Sequence, residues 1–575
     1  MCIPIQARNT ITFFSYNMNH SKRYTVTAAL PYANGPIHLG HLAGAHLPAD
    51  IYVRYLRQRK QQVLFISGSD EHGVPVTVRA QQEGITPQEV VDKYHALNKK
   101  ALEGIGIQYD IFARTSSPVH SETASAFFKQ LHGKGVFEVH ETKQYYDPKQ
   151  QQFLSDRYIK GTCPQCANPN AYGDQCEACG NTLSPEELLH PTSALSGKTP
   201  LLKPTTHWFL PLQRYESWLK QWILEEHKDW KTNVYGQCKG WLDQGLHARA
   251  VTRDLDWGVP VPLPEGKDKV LYVWFDAPIG YISATKEWAD QHQVDWRPFW
   301  QDPDTTLVHF LGKDNIVFHC IVFPVMLQAH GGFILPQHVP ANEFLNLEGS
   351  KFSTSRNHAV WLHEYLEALP DKQDVLRYVL CSMAPEAKDS DFTWKDFQEK
   401  NNNELVGNLG NLVHRTVTLV HRYFDGLVPP PGILEASDEA LFDSLSTAFD
   451  QVGAALEQFK CKEALQLCMG YATLGNKYLT DKAPWKLVKQ DPEAAGTVLN
   501  NTLQLIATVA LLLRPFVPST SLKIAHMVGL HETGWGNLSI RDLIAPGQRL
   551  AAPTLLFEKI EDAVVEAQRA KLQQP

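Results

Sequence analysis

The sequence predicts an α/β protein: a parallel sheet, split by a cysteine-rich insertion and followed by an α-helical region. Three observations carry that expectation. Two apolar, β-branched runs, Tyr24 to Leu30 and Gln62 to Ile66, enclose a helical pattern from Ala49 to Lys60, the signature of a βαβ unit. Strand-like runs return at Val270 to Phe275 and Thr306 to Leu311 and supply the other half of the sheet. From about Gly135 to Arg253 the chain instead carries a cysteine knuckle and tryptophan-rich segments, and beyond Asn401 helical periodicity takes over.

The expected sections are an N-terminal extension (1–21, with Met18 as an alternative start), the first half of the sheet domain (22–134), the insertion (135–253), the second half (254–340), a connecting region (341–400) and the helical domain (401–575). Pro48 falls within the first helix, where its ring would press on the carbonyl of Gly44, so a kink is expected there. In the helical domain Leu405, Leu409, Leu412, Val413 and Val420 form one apolar stripe; Asn408, Asn411 and Arg415 project from the other side and should be exposed. Pro429-Pro430-Pro431 interrupts the chain after the first long helix, and a last helix is expected from Glu558 to Lys571. No internal repeat is evident.

Composition narrows the class. Hydrophobic residues make up 43% of the 575 and charged residues 20%, which fits a multidomain globular chain. The net charge of −8 means that a nucleic acid would have to be met by a local surface, not by bulk attraction. The apolar run Leu505 to Leu513 ends at Arg514-Pro515, short of the ~20 residues that a membrane span requires. The first twenty residues lack the features of a secretory signal, so a cytoplasmic location without membrane contact is expected. Four of the ten cysteines cluster in Cys163-Pro164-Gln165-Cys166, nine residues, then Cys176-Glu177-Ala178-Cys179. Two thiolate pairs that close suit tetrahedral, closed and therefore structural Zn(II) better than a redox dithiol. The other six are expected to be ordinary buried thiols.

The stretch Pro31-Tyr32-Ala33-Asn34-Gly35-Pro36-Ile37-His38-Leu39-Gly40-His41 lies where the first strand turns into its helix. Such a turn sits at the carboxyl edge of a parallel sheet, and a helix start offers free N–H groups to anions. His38 and His41 are therefore placed to donate to phosphate oxygens, and Gly40 leaves room for an adenine ring or ribose. Alone, the motif is also compatible with an ordinary loop. Asp70-Glu71-His72 invites a metal reading, but no second cluster of ligands stands near it in sequence.

Together with Gly349-Ser350-Lys351-Phe352-Ser353-Thr354-Ser355-Arg356, the histidine stretch resembles the paired "HIGH" and "KMSKS" elements of class I aminoacyl-tRNA synthetases. Gly68-Ser69-Asp70-Glu71-His72-Gly73, the knuckle, Tyr272-Val273-Trp274-Phe275-Asp276-Ala277-Pro278-Ile279-Gly280-Tyr281 and Gly312-Lys313-Asp314 with His319 follow in the order of the methionyl-tRNA synthetase family, over roughly Tyr24 to Trp485. The resemblance implies a Rossmann-like catalytic domain split by a zinc-knuckle insertion, a KMSKS-type loop and stem-contact region at 341–400, and a helical-bundle anticodon-binding domain. It implies attack of the methionine carboxylate on the α-phosphorus of ATP, with Mg(II), then transfer to the terminal adenosine of tRNA(Met), the initiator included, first at the 2′-hydroxyl.

Carried over residue by residue, the resemblance places His38, Gly40, His41, Gly312, Asp314, Lys351 and Thr354 around ATP. It places Asp70 on the methionine ammonium, and Ala29, Leu30, Tyr32, Trp274, Ala277, Pro278, Tyr281 and His319 around its side chain. Asn411, Arg415 and Trp485 fall at the anticodon positions, where Asn and Arg suit base edges and an indole suits stacking. The loop departs from the family in having Thr354 where a second lysine is usual, so Lys351, with Arg356 second, is expected to carry the charge that meets pyrophosphate. An isoleucyl- or valyl-type synthetase would need a far larger editing insertion, and a zinc-bearing RNA-binding protein with a degenerate site is the rival of another kind. A monomer is expected. The reading rests on Ile37 to His41 and Ser350 to Ser355 meeting across one nucleotide cleft.

Overall fold

Strands that begin with the β-branched runs of the sequence assemble side by side: β1 (Arg23–Ala28), β2 (Gln62–Ser69), β3 (Ile111–Arg114), β4 (Thr305–Gly312) and β5 (Ala341–Asn342). The computed structural model describes residues 23–572 apart from 155–157, 174–175, 177–178, 180–182, 184, 354–356, 532–533 and 537. The extension 1–21, and Thr354, Ser355 and Arg356 of the loop, lie outside the described residues. The sheet is wholly parallel, in the order β5-β4-β1-β2-β3, with Tyr24 opposite both Val63 and Thr306. Chain order diverges on either side of β1, which makes the β1/β4 boundary a topological switch point with a crevice at the carboxyl ends of the strands. Val26, Thr27 and Ala28 on β1 and Leu64 to Ser69 on β2 are buried without alternation, as strands covered on both faces must be.

The run Val270 to Phe275 is not a strand of this sheet. Only Val270–Leu271 is extended, paired antiparallel with Thr252–Arg253, and a helix then begins. That expectation fails because the helix is enclosed by protein and so shows no polar stripe: Val273, Phe275, Asp276, Ile279, Tyr281 and Ile282 are all buried.

The first helix, α1 (Leu47–Gln58), continues from Leu39–His41 through a π-helical turn, Leu42–His46. The irregularity expected at Pro48 thus takes the form of a widened turn just before it, in which the missing proline N–H and the ring are accommodated. The same device recurs at Phe318–Val322, followed by a helix with Pro324 near its start, and it carries His319. The enclosed helix above is α2 (Val273–His292). In the insertion, Glu138–Asp147 pairs with Leu201–Pro211 in a four-stranded antiparallel sheet, and a three-stranded sheet around Ile159–Thr162 bears the cysteines. The cysteine unit has its own small core of Leu154, Tyr158, Ile159, Ala171, Leu183 and Leu188.

The helical region contains α3 (Asn411–Tyr423), α4 (Cys461–Lys482), α5 (Pro492–Leu513) and α6 (Asp562–Lys571). The stripe Leu405, Leu409, Leu412, Val413 and Val420 is buried throughout. Of the three residues expected on the open side, Asn411 is exposed, but Asn408 and Arg415 are half-buried. Asn408 accepts from Asn476 of α4 at 2.8 Å, and the Arg415 guanidinium lies 4.1 Å over the Trp485 ring. The run Leu505 to Leu513 is the second half of α5, a 22-residue helix that is long and apolar enough to cross a membrane. It is instead packed inside the bundle, with its apolar window 100% buried.

The last helix begins at Asp562 rather than Glu558, because the preceding segment is spent on docking. Ile560 N–H donates to Asn402 Oδ1 at 2.8 Å, and Asn401 donates to the Glu558 carbonyl at 2.9 Å. From α6, Arg569 forks onto the Glu348 carboxylate at 3.1 and 2.9 Å.

Candidate active site

The carboxyl ends of β1, β2 and β4 gather many of the expected residues at one edge of the sheet. Asp70, just past β2, is tied to the turn after β1 by backbone pairing: its N–H donates to Pro31 O at 2.9 Å, and Ala33 N–H donates to its carbonyl at 2.8 Å. Close approach of β2 and β3 requires Gly68, where a Cβ would stand 2.4 Å from the Ala113 carbonyl oxygen.

His38 caps the first helical turn reciprocally with His41. Gly40 N–H donates to His38 Nδ1 and His38 N–H donates to His41 Nδ1, both at 3.1 Å. A nitrogen that accepts carries no proton, so both neutral rings are held as Nε2–H tautomers. Desolvation lowers His41 to about 4 and, joined by the neighbouring His41, lowers His38 well below the usual imidazole range. Around neutral pH both rings donate as uncharged groups, so the charge of a triphosphate has to be met by other residues. A Cβ on Gly40 would lie 2.8 Å from His38 Cε1, which explains the glycine.

The second motif comes to the first. Ser350–Lys351 forms a hairpin with Leu345–Leu347, and Gly349 N–H is held by the Asp391 carboxylate at 2.9 and 3.0 Å. Phe352 stacks on His38 with centroids 4.6 Å apart and planes at 13°, while Leu39 N–H donates to Val360 O at 3.2 Å and Leu362 N–H to Ile37 O at 3.0 Å. Lys351 is exposed beside this contact. Gly312, at the end of β4, and the exposed Asp314 stand at the same edge of the sheet.

Around Asp70, Ala29, Leu30, Trp274 and Ala277 are half-buried, Pro278, Tyr281 and His319 are buried, and Tyr32 is 40% exposed. Gly280 lets α2 approach: a Cβ there would meet Leu30 and Thr115 methyls at 3.2 Å. His319 Nδ1 donates to Asn315 O at 3.0 Å, so its Nε2 accepts from the Tyr281 hydroxyl at 2.9 Å. Desolvation puts His319 down to about 4, leaving a neutral, polarisable wall. Asp70 Oδ1 is buried without a hydrogen-bond partner. Burial first, then the charge of Asp276, pushes the Asp70 carboxyl well above the usual carboxylate range, partly opposed by the His72 N–H. A buried carboxyl with one unpartnered oxygen is chemically suited to a hydrogen-bonding cationic group.

Two groups have metal-like composition. Cys163, Cys166, Cys176 and Cys179 have sulfurs mutually within 4.8 Å, with Cys163 to Cys179 at 3.9 Å and Cys166 to Cys176 at 3.5 Å. A tetrahedron with ~2.3 Å metal–sulfur bonds has edges of about 3.8 Å, so the set fits one structural ion. The five other described cysteines are buried free thiols. His72 does have companions, His120 and Asp276, brought from far along the chain. Its Nδ1 stands 2.6 Å from Asp276 Oδ2, however, a hydrogen bond and well inside the roughly 3.3 Å edge that two ligands of a ~2.0 Å tetrahedral site would keep.

On the helical side, Asn411, Arg415 and Trp485 share one patch. Ala483 takes a left-handed conformation (φ 42°) at the end of α4, and the short helix Pro484–Leu487 then sets Trp485 under Arg415. Sequence reasoning missed Asn476, which donates to both Asn408 O (2.9 Å) and Oδ1 (2.8 Å) and lies 3.4 Å from Asn411 Nδ2.

Comparison with known proteins agrees with this layout. The family model described as "tRNA synthetases class I (M)" matches residues 24–417, and that described as "Anticodon binding domain of methionyl tRNA ligase" matches residues 428–574. A sheet crevice with paired histidine and lysine motifs, followed by such a bundle, is that of a class I aminoacyl-tRNA synthetase. Methionine–tRNA ligases of Cytophaga hutchinsonii and Bacteroides fragilis are each 59% identical to this chain over 562 and 551 residues, covering 96% of it and 82% and 81% of their own lengths. The chain belongs to the methionyl-tRNA synthetase family. Its fold is similar to that of a Mycobacterium tuberculosis methionyl-tRNA synthetase in complex with methionyl-adenylate, with a TM-score of 0.78 and 24% identity over 93% of this chain and 99% of that one.

Proposed function

We propose that this chain joins methionine to ATP as methionyl-adenylate and passes the methionyl group to the 3′-terminal adenosine of tRNA(Met), initiator included. The observation that supports the reading is the contact of Phe352 with His38, which brings the histidine motif and the lysine motif together. A methionine carboxylate oxygen bonds to the α-phosphorus as the bond to pyrophosphate breaks. A ribose hydroxyl of the tRNA then attacks the methionyl carbonyl and AMP leaves.

Asp70 takes the ammonium, and Ala29, Leu30, Tyr32, Trp274, Ala277, Pro278, Tyr281 and His319 enclose the thioether. His38 and His41 direct Nε2–H donors at phosphate oxygens, which strengthens the interaction most where charge accumulates in the crowded transition state. Gly312 and Asp314 hold the adenosine, and Lys351 balances departing pyrophosphate with Thr354 and Arg356. Mg(II) supplies the remaining charge neutralisation when it arrives with ATP. The four cysteines hold Zn(II), which braces the inserted unit. Asn411, Arg415 and Trp485 read the anticodon. The five buried free thiols support a cytoplasmic location, and the protein acts as a monomer.

Amino-acid-dependent exchange of labelled pyrophosphate into ATP tests the reading: methionine alone should support it. Exchange with isoleucine or valine instead would reassign the substrate, and no exchange with any amino acid would overturn the enzymatic reading in favour of an RNA-binding role.

A further inference from the structure

Behind the crevice lies a buried polar chain that no step above uses. His72, two residues beyond Asp70, bonds through Nδ1 to Asp276 Oδ2 at 2.6 Å; their side chains are 7% and 0% exposed. Asp276 sits on α2 between Trp274 and Ala277. On its other side His120 Nε2 approaches the same oxygen at 3.6 Å, while His120 Nδ1 pairs with Ser283 Oγ at 3.0 Å, again on α2. Burial alone would raise the Asp276 carboxyl; the charges and hydrogen bonds of His72 and His120 outweigh it and hold the group below its ordinary range. Asp276 Oδ1 and His120 Nε2 are buried without hydrogen-bond partners.

Stability is a poor reason for this chain, since an apolar group of the same volume is often neutral or stabilising at such a site. Its position supplies a better one. Asp70 stands on the β2 loop, while Trp274 and Tyr281 stand on α2, and the His72–Asp276 bond is a buried polar tie between that loop and that helix. We infer that His72 and Asp276 are positioning residues for amino-acid recognition: their bond fixes the spacing between the carboxylate that takes the α-ammonium and the walls that take the side chain. This rests on the reading of Asp70 as the ammonium site. Because both ends of methionine are gripped at once, a shift of ~1 Å between loop and helix is enough for about a 100-fold loss.

The test compares His72→Asn with His72→Gln by methionine-dependent pyrophosphate exchange. Asparagine places its amide N–H near the position of Nδ1 and keeps the bond to Asp276; glutamine carries the donor farther out, toward the place of Nε2. His72→Asn should keep the methionine KM within about threefold of the parent, and His72→Gln should raise it about 100-fold with the ATP KM unchanged. As a second readout, 4-(methylthio)butanoate, which has no ammonium, should inhibit both variants and the parent with one Ki. Equal methionine KM values in the two variants, or loss of ATP and inhibitor binding in parallel with methionine, would overturn the inference. Asp70→Asn is the control: if it leaves the methionine KM unchanged, the ammonium reading itself fails. If it raises that KM while the two His72 variants do not differ, only the positioning role fails.

Discussion

Asp70→Asn should separate what this carboxylate does for the substrate from what it does to the fold. The substitution keeps size and shape and removes one charge from a side chain that is 5% exposed and whose Oδ1 has no partner. Loss of one partner from a buried, hydrogen-bonded charge pair costs about 2–5 kcal/mol. The kcat/KM for methionine in pyrophosphate exchange should therefore drop by roughly 30-fold to several thousand-fold, with ATP parameters little changed. Stability should move the other way. The folded protein binds the Asp70 proton more tightly than the unfolded chain does, because burial and Asp276 raise this carboxyl. Stability is thus lost as pH rises from the ordinary carboxylate range through the raised folded value. Asp70→Asn should melt higher than the parent at pH 8, and the gap should narrow toward pH 5. In the parent, methionine kcat/KM should rise with pH as Asp70 ionises, and the variant should lack that limb. A variant that activates methionine normally, or that melts lower at every pH, would refute the reasoning.

Trp485→Ala should leave pyrophosphate exchange intact and weaken tRNA charging by about 5- to 150-fold, the equivalent of the ~1–3 kcal/mol of one base stack, seen as a raised tRNA KM. Lys351→Ala should slow adenylate formation in single-turnover measurements without changing the melting temperature, since the side chain is exposed; an unchanged rate would move the charge assignment to Arg356. Gly40→Ala should abolish exchange with ATP, because its Cβ would displace the His38 ring. Treatment with a strong chelator, followed by metal analysis, should release one zinc per chain and loosen the cysteine unit to proteolysis while the β1–β5 sheet keeps its amide protection.

How much of this was legible in the sequence depended on whether the signal was local. β1 and β2 could be read because β-branched runs between turn residues leave few alternatives, and the two cysteine pairs because their spacing is itself the geometry. The run Val270 to Phe275 misled for the opposite reason: aromatic residues enclosed on every side look alike in a strand and in a helix, and here helix packing decided. Asn408 and Arg415 face away from the stripe as expected, yet their exposure was decided by Asn476 and Trp485, which no periodicity on their own helix reveals. His72 stood beside a predicted site residue, but its partner Asp276 lies 204 residues away. A tie between distant segments has no spacing rule to betray it.

The fork of Arg569 on Glu348 joins the last helix to the root of the strap that bears Lys351. Glu348 also takes the amide of Trp394 at 2.9 Å and directly precedes Gly349, whose own amide is pinned by Asp391. A tilt of that helix is therefore a pull on the hairpin that bears Lys351. A load placed on the bundle thus has a mechanical route to that hairpin, like a hand on the long arm of a lever.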